Sequence, residues 1–220
     1  GYVIELLLCI WSAIVWRAWR VCRRACGWST ADGASSDVVL YCGRGWIPGE
    51  QARWDGMSVR QGLGGSEQCV IRLARALVRA GRAVTVYNSC GPRGAVVHSV
   101  VYRPAAAFDP CAPHGHLIVW RVPQIMWVHS RLGRLRCASL TFWVHDGANV
   151  HILRRAPAWL IGALRRAVGS AAHCVFPSRE MLALQPVHLL GARATPATAL
   201  HVVPHGVPVT RAAASQRSVH

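Results

Sequence analysis

From Asp37 onward the chain alternates short apolar, β-branched runs with amphipathic segments, and this alternation constrains the fold more than any other feature. Runs at 38–42 (VVLYC), 83–87, 96–102, 117–120, 140–145, 174–176 and 201–203 have the length and composition of strands buried on both faces. Helical spacing separates several of them, at 66–80, 158–168 and 178–190, the last interrupted or ended near Pro186. A strand that is apolar on both sides needs helices on both sides. The pattern therefore predicts an α/β fold, a Rossmann-like doubly wound parallel sheet, and no internal repeat is present. With 220 residues, 52% of them hydrophobic, the chain has ample material for one core.

The first unit shows the logic at residue level. After the strand at 38–42 comes a loop at 43–62 (GRGWIPGEQARWDGMSVRQG), longer than the usual strand-to-helix turn, which marks it as functional or as a lid. Ser66 is placed to cap the following helix, Glu67 suits its first turn, and Gly81 is placed to end it. Val70, Ala74, Leu77 and Val78 keep to one face; Arg72, Arg75 and Arg79 keep to another. Trp46 and Trp54 in the loop are expected over the sheet.

The residues before this unit are of another kind. Residues 3–15 are nearly all apolar and are followed by Trp16, Arg17, Trp19, Arg20, Arg23 and Arg24. Residues 1–26 read as an N-terminal apolar helix, either a membrane anchor with its basic flank in the cytosol or a signal-like or buried helix. Residues 27–36 read as a linker, 37–210 as the Rossmann-like domain and 211–220 as a tail. Formal net charge is +16, and all 25 basic residues are Arg. Such a balance favours anionic partners, a phosphorylated ligand or an acidic membrane surface. The arginines are dispersed and accompany no basic-aromatic motif, so no specific nucleic acid is expected. Nine cysteines, evenly spread and without a CxxC pair, suit reduced thiols rather than a zinc site or a disulfide scaffold. The expected location is membrane-associated with the domain facing the cytosol, or cytoplasmic.

In an open α/β sheet, ligands bind beyond the carboxyl ends of the strands. The polar residues due there are the 43–65 loop, Asn88, Arg121, His145, Asp146, Ser178 and His205. Paired glycines at the mouth of a helix, Gly64 and Gly65, let backbone N–H groups approach an anion that the helix N-terminus already favours. The stretch is not a dinucleotide fingerprint, because Glu67 stands where the third glycine belongs and the next strand ends in Asn88 rather than an acid. Nor is it a P-loop, since the chain contains no lysine.

The sequence GLGGSEQCVIRLARALVRAGRAVTVYNSC at 62–90 resembles the first unit of the family 4 glycosyltransferases. LIVWRVP at 117–123, LTFWVHD at 140–146 and HVVPHGVP at 201–208 resemble later strands of the same N-terminal domain, in the same order. The resemblance implies the N-terminal half of a GT-B architecture and transfer of a sugar from a nucleotide-sugar donor to an acceptor, whether glycan, lipid or protein. It implies no cofactor and no obligatory metal. By position, His145 is the catalytic candidate, orienting the transferred sugar, and Gly64 and Gly65 approach the donor phosphates or sugar. Arg121, Asp146 and His205 are further substrate-binding candidates. Arg121 and Asp146 also have structural readings, Arg121 as a partner of Asp109 or Asp146. Two departures stand out: His205 occupies a position where the family has Asn, and Pro208 one where Asp is common. The family's second domain, which supplies the nucleotide pocket, has no counterpart up to His220. That leaves a truncated or partner-completed enzyme, or a non-catalytic binding or scaffold remnant.

Overall fold

The computed structural model describes residues 36–43, 53–58, 63–110, 112–121, 125, 135–145, 158–185 and 198–204. The apolar N-terminal segment expected at 1–26, the linker expected at 27–36 apart from Ser36, Trp46, Asp146, His205 and the tail expected at 211–220 lie outside these residues.

Eight strands form one sheet: β1 (Val38–Tyr41), β2 (Val84–Asn88), β3 (Ala95–Val97), β4 (Val100–Pro104), β5 (His114–Trp120), β6 (Cys137–Trp143), β7 (His173–Phe176) and β8 (Ala199–Val202). Their order is β3-β4-β2-β1-β5-β6-β7-β8, and every pairing is parallel except β3 with β4. Apart from that edge hairpin, this is the arrangement a Rossmann-like doubly wound sheet requires. Three α-helices are described: α1 (Gly65–Arg79), α2 (Ala158–Gly169) and α3 (Arg179–Gln185).

Alternation along the strands divides the core in two. Val38 and Leu40 of β1 face α1 and join Val70, Ile71, Ala74, Val84, Val86 and Trp120. Val39, one residue out of phase, faces the other way and joins Leu117, Val119, Phe142, Cys174 and Val168 of α2, with Met181 and Leu182 of α3 packed alongside. Both faces of the sheet are thus covered, as the two-sided apolar runs demand. Each fully buried Val or Ile contributes about 1.5–3 kcal/mol.

The residues 96–102, expected as a single strand, are instead a hairpin. His98 and Ser99 take the left-handed conformation (φ 50° and 61°) and reverse the chain between β3 and β4, pairing Val97 with Val100. That geometry fits a two-residue hairpin turn, ordinarily signalled by Asn-Gly. Here the sequence carries no such signal, and Val96 is left exposed on the outermost strand.

The ends of α1 differ from each other. At the C-terminus Gly81 (φ 78°) sits just past the cap, its N–H donating to Val78 O, while Arg82 N–H donates to Leu77 O. This pair of bonds is a Schellman closure, and the placement of Gly81 agrees with the sequence. At the N-terminus the cap is Gly64, without a side-chain hydrogen bond, so Ser66 is not the cap. Its hydroxyl lies buried within the first turn and accepts the indole N–H of Trp120 at 2.9 Å.

Candidate functional site

Chain direction places the site. β1 continues to β2 on one side of it, and β5 continues to β6 on the other, so the strand order reverses between β1 and β5. The crevice beyond their carboxyl ends is where such sheets take ligands. The N-terminus of α1 lies at this edge, because the helix returns from the carboxyl end of β1 to begin β2. The bond from Trp120 to Ser66 ties that first turn to the end of β5.

Gly64 and Gly65 are both exposed here. Gly64 has ordinary dihedrals (φ −58°, ψ 155°), and neither glycine has a positive φ. A Cβ on Gly65 would meet nothing within 4 Å; one on Gly64 would meet only the far end of the Glu67 side chain, whose Oε2 lies 2.6 Å from the Cβ position. The fold therefore gives no steric reason for glycine at either position.

Arg121 follows β5 directly, in the left-handed region at φ 64°. For a residue with a Cβ this conformation is costly and clusters at functional sites. Its backbone N–H donates to Trp143 O, and its Nη1 stands 3.5 Å from Glu67 Oε1. Among the described residues its ion partner is Glu67; of the two partners expected from the sequence, Asp146 lies outside these residues. Each side chain of the pair keeps 28% of its surface exposed, so water weakens the attraction. Glu67 bends back over Gly64, its carboxylate shared between Arg121 and the positive end of α1.

His145 lies two residues beyond β6 on the α1 side of the sheet. Its ring centroid is 5.3 Å from that of Trp120, and Trp120 in turn is 4.9 Å from Trp143. One indole therefore separates the imidazole from the first turn of α1. Cys42, just past β1, completes the floor: its thiol is pushed up by burial, then by the Glu67 carboxylate, with Arg121 opposing. A thiol so placed stays protonated and is a poor nucleophile.

The structure thus sets Gly64, Gly65, Arg121 and His145 at the carboxyl edge of the sheet, Arg121 joined to the first turn of α1 through Glu67 and His145 through Trp120. Asp146 and His205 lie outside the described residues. Two other edge residues have structural roles. Asn88, 1% exposed, donates to Trp54 O and accepts from Cys90 N–H. The Ser178 hydroxyl caps α3 by accepting Met181 N–H at 3.2 Å. Trp54 is buried against the α1 face, as expected of it.

Glu67, Ser66, Trp120, Trp143 and Cys42 were not legible as site residues. Each becomes one only through contacts that the strand order creates, such as the 54-residue separation between Glu67 and Arg121. Chemically the crevice combines helix N-terminal amides, a guanidinium and an imidazole, a set suited to an anionic, hydroxyl-bearing ligand. Among the described residues no group of three or more His, Cys, Asp or Glu is arranged to hold a metal ion, and no helix is long and apolar enough to cross a membrane.

Comparisons with protein-family models, with curated proteins and with solved structures found no match.

Proposed function

We propose that the chain is the acceptor-side N-terminal domain of a glycosyltransferase that takes its sugar from a nucleotide-sugar donor. One observation carries the reading. Two glycines that the fold does not need open α1 at the reversal of strand order, beside Arg121. Such glycines admit a ligand to the backbone, and the amides then stabilise negative charge developing on a leaving diphosphate. Arg121 leaves Glu67 for the phosphate, a bidentate partner of greater charge. His145 hydrogen-bonds a hydroxyl of the sugar and orients it, a positioning contribution rather than general-base work. Asp146 and His205, outside the described residues, are further substrate-binding candidates by the resemblance of the segments that carry them.

The test uses the full-length gene product with UDP- and GDP-sugars, comparing wild type with His145→Ala. Donor turnover in the wild type, reduced by about 10²-fold in the variant, is the expected result. Absence of turnover in both removes the catalytic proposal.

A second reading, a non-catalytic binding or scaffold protein, is favoured by Glu67. Its carboxylate already covers Gly64 and neutralises Arg121. Under that reading the wild type binds a nucleotide sugar without consuming it, or binds none.

A further inference from the structure

Far from the crevice, on the last two strands, two imidazoles converge. His173 on β7 and His201 on β8 lie on the sheet face opposite Cys174 and Phe176, which point into the core. Their register, His173 beside Ala199 and Val175 beside His201, makes them diagonal neighbours across a parallel pair. Nδ1 of His173 stands 3.1 Å from Nε2 of His201, and the ring centroids are 5.2 Å apart. His201 is exposed and His173 half-buried, so the pair is open to solvent.

We propose that His173 and His201 form a bidentate site for a late first-row divalent cation such as Ni2+, Cu2+ or Zn2+. The spacing carries the argument. An imidazole nitrogen binds such ions at about 2.0–2.1 Å. Two nitrogens 3.1 Å apart then subtend about 98° at the metal, between the right angle of a square or octahedral site and the tetrahedral angle. The donor set is all imidazole, which suits these ions and not Mg2+ or Ca2+. Solvent exposure leaves the remaining positions to water. Binding replaces the histidine–histidine hydrogen bond: one ring shifts its proton to the far nitrogen, so that Nδ1 of His173 and Nε2 of His201 both present lone pairs. A bound ion would tether the edge strand β8 to β7.

The experiment uses the untagged chain, with wild type, His173→Gln and His201→Gln titrated with Ni2+, and Mg2+ as the control. Wild type is expected to bind about one equivalent that each substitution weakens by about a hundredfold, since loss of either ring removes the chelate. Mg2+ is expected not to bind. The melting temperature should rise with Ni2+ in the wild type alone, all three proteins melting alike in chelator. Wild-type affinity retained in both variants overturns the site. Should a variant fail to fold, the spectrum of Cu2+ bound to the wild type decides: two imidazole nitrogens on one copper support the site, and one or none refutes it.

Discussion

Glu67 answers a question that Gly64 and Gly65 pose. A helix N-terminus attracts negative charge, and this one already has a carboxylate folded over its cap and held by Arg121. The glycines are then unexplained by stability. Alanine at position 65 meets no atom, requires no unusual φ, and restricts the unfolded chain. Gly65→Ala should therefore raise stability by about 0.5 kcal/mol. If the bare backbone serves a ligand, the same change should lower donor turnover or nucleotide-sugar affinity by about tenfold, through a methyl placed against the bound phosphate. A denaturant midpoint that rises while activity falls supports the functional reading; a variant both more stable and equally active removes it. At this scale the sequence was partly legible. The glycine pair, Arg121 and His145 could be read because each follows a strand or opens a helix. Glu67 and Trp120 could not, because their roles depend on contacts made across 54 residues of chain.

Elements were more legible than their joints. The β-branched runs at β1, β2, β5, β6 and β7 and the amphipathic stripe of α1 announce themselves by period, and the structure places them within a few residues of expectation. Gly81 was readable because a left-handed closing residue has one favoured chemistry. The β3–β4 turn was hidden because His98 and Ser99 accept that conformation at a cost that leaves no mark in composition. Left-handed backbone costs a residue with a Cβ roughly 1–2 kcal/mol. Replacing His98→Asn together with Ser99→Gly should recover about 1 kcal/mol or more, read as a shift in the urea midpoint without change in its slope. No gain would mean that the two side chains compensate their strain by contacts of their own. The N-terminal cap of α1 was misread for a related reason. Ser66 is a good capping residue by type, but the indole N–H of Trp120, arriving from β5, claims its hydroxyl.

For the molecule as a whole, burial of weak acids ties stability to alkaline pH. The core clusters enclose the Cys174 thiol and the Tyr102 phenol, both pushed up to about 12 by burial, from ordinary values of 9.0 and 10.0. Arg75 opposes the shift at Tyr102, while Asp55 and Cys42 add to it. In the folded protein these groups keep their protons as pH rises; in the unfolded chain the thiol gives up its proton near 9 and the phenol near 10. Between those values and about 12 the folded state therefore binds more protons, and stability must fall as pH increases. Below about pH 9 the contribution is fully present. Each group adds a slope approaching about 1.4 kcal/mol per pH unit across its window. The dense packing around the sheet that makes the α/β core possible is thus also what makes it vulnerable to base, since Cys174 and Tyr102 are almost wholly removed from solvent. Tyr102→Phe keeps the ring and removes the titrating hydroxyl. Urea midpoints measured from about pH 8 to 11 should fall less steeply above about pH 10 in this variant than in the wild type, with the two curves parallel below about pH 9. Equal slopes above about pH 10 would show that the phenol ionises at the same pH in both states, and hence that the α1 side of the sheet is open to water.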